Sequence, residues 1–199
     1  MPAPDVLPAL TAALARTGRD TSDYDLNTGL PQPQGRVLRA AAVLIGLQNG
    51  PDGARLILTK RASHLKHHPG QIALPGGKVE SGESAVTTAL REAHEEIGLP
   101  PEQVRILGTL DPHETVTSFS VTPVLAVIDP SYQPIRQEDE VEEVFSVPFA
   151  HVADPANFRI ESRIWGGVRR RYFIVPFGPY YIWGATARIL KALADRMTV

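Results

Sequence analysis

The 199-residue chain sets 20 Lys and Arg against 22 Asp and Glu, a net charge of −2, so it lacks the bulk basicity that draws proteins to nucleic acid or anionic lipid. It contains no cysteine, which excludes disulfides, thiolate-held zinc, iron–sulfur clusters and a thiol nucleophile. The length suits one domain with a proper core plus terminal additions, and residues 1–15 lack the positive charge of a secretory leader, so cytoplasm is the expected location. Val6–Ala15 reads as a short amphipathic helix. Residues 17–35 are polar and rich in Gly, Pro and Asp, which predicts a linker or surface loop. Residues 1–35 are therefore expected to form a helix and linker ahead of a main domain spanning 36–199. Val37–Leu47 and Leu56–Lys60 are apolar and β-prone, and Asn49-Gly50-Pro51-Asp52-Gly53 between them predicts a hairpin. Ser84–Ile97 has helical periodicity. Val104–Leu110, the long stretch Thr115–Ile128, and Val144–Val147 read as strands. Ile160–Trp165 and Arg171–Val175 can pair across Gly166-Gly167, and Ile182–Met197 closes the chain as a helix. Strands with helices between and after them predict an α/β (α+β) fold, a mixed sheet with helices on both faces.

The helix Ser84–Ile97 carries the strongest chemical signal. At about 100° per residue, Glu96 lies roughly +40° and Glu95 roughly −60° from Glu92. The three carboxylates thus share a face, while Val86, Leu90, Ala93 and Ile97 form a stripe about 140° away. Two like charges about 4 Å apart repel by roughly 4 kcal/mol at an effective dielectric near 20. A divalent cation reverses that sign, and carboxylate oxygens are hard ligands suited to Mg²⁺ or Mn²⁺. An isolated acidic helix is more often only a solvated face. Here a loop with three glycines, Leu74-Pro75-Gly76-Gly77-Lys78-Val79-Glu80-Ser81-Gly82-Glu83, feeds directly into it and lets the backbone approach a ligand closely.

The spacing of the whole segment resembles the Nudix box, Gly-x5-Glu-x7-Arg-Glu-U-x-Glu-Glu-x-Gly-U, where U is bulky and aliphatic. Gly77, Glu83, Arg91, Glu92, Glu95, Glu96 and Gly98 all match, a coincidence of about 10⁻⁸ to 10⁻⁹ per start site at average residue frequencies. Ala93 departs by being small at a U position on the packing face, where local repacking is expected. The resemblance implies a Nudix-type α/β/α sandwich and a metal-dependent hydrolase of nucleoside diphosphate derivatives. It implies that Glu92, Glu95, Glu96 and the Gly76 carbonyl hold Mg²⁺ or Mn²⁺, and that Glu83 and Arg91 support them by a charge-assisted contact. In that family, divalent ions neutralise the diphosphate and activate water, and a nearby carboxylate takes the proton. That base is either Glu92 or a member of the later acidic run Glu138-Asp139-Glu140-Val141-Glu142-Glu143, with Glu140 and Glu138 as candidates.

Just upstream, Leu58-Thr59-Lys60-Arg61-Ala62-Ser63-His64-Leu65-Lys66-His67-His68-Pro69-Gly70-Gln71-Ile72-Ala73-Leu74-Pro75-Gly76-Gly77 resembles the motif of the coenzyme A pyrophosphatase branch. Thr59, Arg61, Ala62, Gly70, Pro75, Gly76 and Gly77 match, while Lys66 replaces Arg and Leu74 replaces Phe. Lys66 keeps the charge and loses the bidentate fork. Tyr180-Tyr181-Ile182-Trp183-Gly184-Ala185-Thr186-Ala187 is similar to a C-terminal stretch of the same branch. The branch implies cleavage of coenzyme A, or its oxidised or acylated forms, into adenosine 3′,5′-bisphosphate and 4′-phosphopantetheine or its acyl form. Arg61, Lys66 and Gly77 then contact substrate. A small-molecule partner is expected, no nucleic acid or membrane, and a homodimer stays open. Tyr180 and Trp183 read first as packing residues, with the lining of a pantetheine or adenine pocket as the alternative; Arg169-Arg170-Arg171 reads first as a solvated strand end, with phosphate or partner contact as the alternative; and His94, His113 and His151 read as structural or exposed. Two other functions compete: hydrolysis of another nucleoside diphosphate derivative such as ADP-ribose, and a Nudix-fold binding module without catalysis. The intact Glu92, Glu95 and Glu96 argue against the second.

Overall fold

Turn chemistry and alternating burial together build the molecule, whose computed structural model describes residues 6–30, 35–65 and 68–198. In chain order the elements are α1 (Leu7–Ala15), β1 (Thr21–Ser22), β2 (Arg39–Gly50), β3 (Gly53–Arg61), β4 (Ile72–Ala73), β5 (Gly76–Lys78) and α2 (Ala85–Ile97). There follow β6 (Val104–Thr109), β7 (His113–Glu114), β8 (Phe119–Ile128), β9 (Val141–Pro148), α3 (Phe149–Ala153), β10 (Arg159–Trp165), β11 (Val168–Ile174) and α4 (Gly184–Thr198). The hairpin closes with Gly50 opposite Gly53, leaving Pro51 and Asp52 at the turn. β2 pairs antiparallel with β3 and parallel with β8, so the large sheet is mixed. β5 lies antiparallel to β2, with Val43 opposite Gly76 and Ala42 opposite Gly77. β9 covers β3, and β6 and β7 both pair with β8.

The period of two along a strand sorts side chains onto two faces. Ala41, Ile45 and Leu47 of β2 face one cluster with Leu10, Ala13, Phe149, Ile189, Leu190 and Leu193, which brings α1, α3 and α4 onto that face. Ala42 and Leu44 face the other with Ala89, Ala93 and Ile97 of α2 and Val124, Ala126 and Ile128 of β8. Helices therefore cover both faces, as the pattern predicts. Ala93 is fully buried in the same cluster as Ala42, Ala89 and Ala126.

Three expectations need correction. Residues 17–30 are more than the expected linker or surface loop: Thr21–Ser22 pairs with His113–Glu114, and Thr21, Tyr24 and Asn27 are buried. Their composition encodes turns that are held from outside by hydrogen bonds to buried His113 and to the Arg171 backbone. Thr115–Ile128 is not one strand. Ser118 takes a left-handed φ of 66°, and Thr115 Oγ accepts from the Phe119 N–H at 3.1 Å, so the chain folds back and β7 pairs with the start of β8. Strand β11 begins at Val168 rather than at Arg171, because Trp165 pairs directly with Val168, so Arg169–Arg171 forms the largely exposed, turn-proximal end of the strand. Gly166 and Gly167 have φ of +57° and +76°, the double left-handed turn that tight hairpins use. No helix among the described residues is long and apolar enough to cross a membrane.

Candidate functional site

The acidic helix is fixed at both ends. Ser84 caps its start by accepting from the Thr87 N–H at 3.1 Å. Gly98, left-handed at φ 66°, ends it by donating to the His94 carbonyl at 3.0 Å. The glycine loop then meets the helix as β5. A side chain at Gly77 would put its Cβ 2.3 Å from Glu92 Oε1, and one at Gly76 would put it 2.3 Å from the Ala42 carbonyl oxygen. Only bare backbone fits between β2 and the carboxylates. The Gly76 N–H donates to Glu96 Oε2 at 3.2 Å.

Arg91 ties the loop to the helix. Its Nε donates to Glu83 Oε1 at 2.8 Å, Nη1 to Glu92 and Glu95 at 3.0 Å each, and Nη2 to Glu83 Oε2 and the Lys78 carbonyl at 3.1 Å. Buried Thr88 donates to Glu83 Oε2 at 2.7 Å. Hydrogen bonds from Arg91, Thr88 and the Glu80 N–H hold the Glu83 carboxyl down at about 2. The expected contact between Glu83 and Arg91 is thus in place.

Glu96 is only 5% exposed, and burial pushes its carboxyl up to about 8. The Gly76 N–H and the Arg61 charge oppose this shift, while Glu92 and Glu140 reinforce it. Burial likewise raises Glu92 against the pull of Arg91, with Glu95 and Glu140 adding to the rise. Glu92, Glu96 and Glu140 are therefore within electrostatic reach of one another. Glu95 stands apart, 57% exposed and turned to Arg91. Among the described residues no three Asp, Glu or His side chains already converge as a finished metal shell. The donor set nonetheless fits a hard divalent cation: oxygen ligands only, with a buried carboxylate that meets one backbone N–H and no ion-pair partner among the described residues.

Glu140 arrives through the loop that follows β8. Tyr132 Oη donates to the Ile97 carbonyl at 2.6 Å, and the N–H groups of Ile135 and Gln137 donate to the carbonyls of Ile97 and Glu96 at 2.9 Å. The loop thereby satisfies carbonyls that the helix end leaves open. The rest of the acidic run is committed elsewhere. Glu138 pairs with Arg136 at 3.1 Å in solvent, Glu142 with Lys60 at 2.6 Å, and Glu143 accepts from Tyr180 Oη at 2.6 Å. Tyr180 also stacks on Phe145 with centroids 3.6 Å apart, which agrees with a packing role.

On the β5 side a cavity of about 650 Å³ opens, lined by Gly76, Gly77, Lys78, Arg61 and Arg39. Arg39 was not singled out by the sequence, where it is one cation ahead of an apolar run. The fold sets it 4.0 Å above the Phe119 ring and bonds it to the Thr117 carbonyl at 3.0 Å. Lys66 lies outside the described residues. His113 is buried and bonded to Thr21 and Asp23, His151 to the Pro176 carbonyl, and His94 is exposed.

A NUDIX domain matches residues 37–165, about two-thirds of the chain and all of the loop, acidic helix and docking loop just described. The chain belongs to the Nudix family. It is 43% identical over 157 residues to a protein described as an uncharacterized Nudix hydrolase NudL from Enterobacter sp. (strain 638), covering 78% of this chain and 81% of that protein. A Salmonella paratyphi B protein of the same description is 41% identical over 162 residues, covering 81% and 84%. Among solved structures, a Nudix hydrolase from M. smegmatis, RenU, matches with TM-score 0.51 and 26% identity, over 61% of this chain and 83% of that one. A MutT/nudix family protein from Enterococcus faecalis matches with TM-score 0.52 and 19% identity, over 85% and 65%, and bears on fold alone. The chain is accordingly a Nudix hydrolase of nucleoside diphosphate derivatives, a class that works with divalent metal ions.

Proposed function

We propose that this Nudix hydrolase cleaves the diphosphate of coenzyme A or its derivatives, giving adenosine 3′,5′-bisphosphate and 4′-phosphopantetheine or its acyl form. The observation that carries this reading is the placement of Arg61. It belongs to the upstream segment that resembles the coenzyme A branch, it lines the cavity of Gly76 and Gly77, and its charge acts on Glu96. Arg39 and Lys78 line the same cavity, so a polyanionic substrate meets positive charge on one side of the glycine loop and carboxylates on the other.

Glu92, Glu96 and the Gly76 carbonyl would hold Mg²⁺ or Mn²⁺, with Glu95 joining from its exposed position. Bound there, such an ion would supply neutralisation of the diphosphate charge and a more acidic water. Arg91 and Glu83 hold the loop against the helix. Gly77 lets substrate approach the backbone. Glu92 or Glu140 accepts the water proton, and Glu140 is the better supported of the two late-loop candidates, since Glu138 is turned to Arg136.

Purified protein with Mg²⁺ or Mn²⁺ is to be offered coenzyme A, ADP-ribose and nucleoside triphosphates, with products separated by chromatography. Coenzyme A should be cut fastest, Glu96→Gln should abolish turnover, and Arg61→Ala should raise KM for coenzyme A with little change in kcat. Faster turnover of ADP-ribose, or an unchanged KM in the Arg61 variant, overturns the assignment.

A further inference from the structure

Beyond the glycine loop, a second cavity of about 230 Å³ lies under the β10–β11 arm. It shares His68, Thr115 and Thr117 with the larger cavity, so the two lie side by side across these residues. Its walls combine Trp165 and Trp183 with Arg163 and Arg170. Arg163 sits 5.4 Å from the Trp183 ring and Arg170 5.9 Å from the Trp165 ring. Arg170 Nη1 is buried and has no hydrogen-bond partner among the described residues. A desolvated guanidinium N–H without an acceptor is costly, and burial with an anion removes that cost. Asp23, also in this wall, accepts from the Val116 N–H at 2.9 Å and bonds His113 at 3.2 Å, and it makes no hydrogen bond to Arg170 Nη1. Trp165, meanwhile, leaves more than half its surface to solvent, at 57% exposure. The arm is held over the cavity by Asn27, whose side chain takes both the N–H (2.8 Å) and the carbonyl (2.9 Å) of Arg171.

We infer that this cavity is a distal subsite for a nucleoside bearing a phosphate monoester on its ribose, with the base stacked on Trp165 or Trp183 and the phosphate held by Arg170 and Arg163. Resting on the coenzyme A reading, this is the adenosine 3′-phosphate end of the substrate, with the diphosphate lying in the larger cavity. The small volume agrees: whole ligands of drug size occupy ~300–1,000 Å³, so the cavity suits one end of a longer molecule. The chemistry also sets the polarity of the substrate, because aromatic faces bind bases and Arg forks bind phosphate, whereas the pantetheine arm offers neither.

Trp165 and Trp183 are the two tryptophans of the chain, so intrinsic fluorescence reads this cavity directly. The full-length protein, without divalent ions, is to be titrated with adenosine 3′,5′-bisphosphate, adenosine 5′-monophosphate and 4′-phosphopantetheine. The bisphosphate should give a saturable change and bind at least about tenfold tighter than the monophosphate, the scale of a charge-assisted hydrogen bond. Phosphopantetheine, which has a phosphate but no base to stack, should bind at least about tenfold more weakly than the bisphosphate. Arg170→Ala should weaken the bisphosphate by about tenfold or more and leave the monophosphate unchanged, with Arg170→Lys in between. In turnover, Arg170→Ala should raise KM for coenzyme A and leave kcat and the ADP-ribose rate alone. Arg163→Ala gives a second test should the first variant disturb the arm. Equal affinity of wild type and both Ala variants for the bisphosphate, or phosphopantetheine binding as tightly as the bisphosphate, overturns the subsite. If the bisphosphate binds as expected while coenzyme A is not cut, the subsite stands and the coenzyme A reading falls.

Discussion

At the residue scale, the site depends on a glycine where any side chain would collide with a carboxylate. A methyl at Gly77 must displace Glu92 or lift β5 from β2, because the added Cβ falls 2.3 Å from Oε1. A shift of about 1 Å at a reacting centre costs roughly a hundredfold in rate. Gly77→Ala should therefore lower kcat by about that factor while circular dichroism and melting stay near wild type; unchanged steady-state kinetics would refute the close approach. Glu83 gives a different reading of the same site. Its folded carboxyl, held at about 2, lies below the ordinary value of 4.5. A depressed pKa contributes stability above the unfolded value that disappears as pH falls through the folded one. The melting difference between wild type and Glu83→Gln, measured without metal, should be full at pH 6, shrink below pH 4.5 and approach zero near pH 2. A difference that stays constant across this range means that Arg91 does not hold Glu83. Both residues were legible in the sequence through spacing. Arg39 was not, since it becomes informative only when folding brings Phe119 beside it, and Arg170 was legible only as one of three arginines in a run until folding set it beside Trp165.

At the element scale, α2 shows why a departure from the family pattern need not cost function. Ala93 is small where a larger aliphatic residue is usual, yet it lies fully buried among Ala42, Ala89 and Ala126. The cluster it packs in also holds Leu44, Ile57, Ile97 and Ile128, so large neighbours fill around the small side chain. Ala93→Leu should overpack this interface and destabilise the protein by about 1–3 kcal/mol, read from chemical denaturation. A neutral result would mean that spare volume lies beneath the helix. The same reasoning explains what periodicity could not deliver. Helix α2 and the β2–β3 hairpin were readable because local pattern, cap and turn residues agree. The break between β7 and β8 was not, because Thr115–Ser118 is as β-prone as its flanks and the turn depends on one left-handed serine. Glu140 could be placed among six acidic-run positions only after the loop had docked on the end of α2.

At the scale of the whole molecule, the sheet, the acidic helix and the late loop meet at one cluster of like charge, with Glu96 buried at its centre. Burial keeps Glu96 protonated in the absence of a cation, and a bound cation lets it ionise beside Glu92 and makes the charged cluster favourable. An ion that binds only the folded state stabilises it by RT ln(1 + [ion]/Kd), about 2.7 kcal/mol at a hundred times Kd. For a chain of this length each kcal/mol moves the melting temperature by about 2–4 °C. Protein stripped with chelator should thus melt roughly 5–10 °C higher once Mg²⁺ or Mn²⁺ is restored to saturation. The gain should vanish in Glu96→Gln, which keeps the shape and removes the charge. The control is Arg170→Ala, outside the acidic cluster, which should retain the full shift. A melting temperature indifferent to both ions would mean that these carboxylates are held together by the fold alone, and the catalytic assignment of α2 would have to be abandoned.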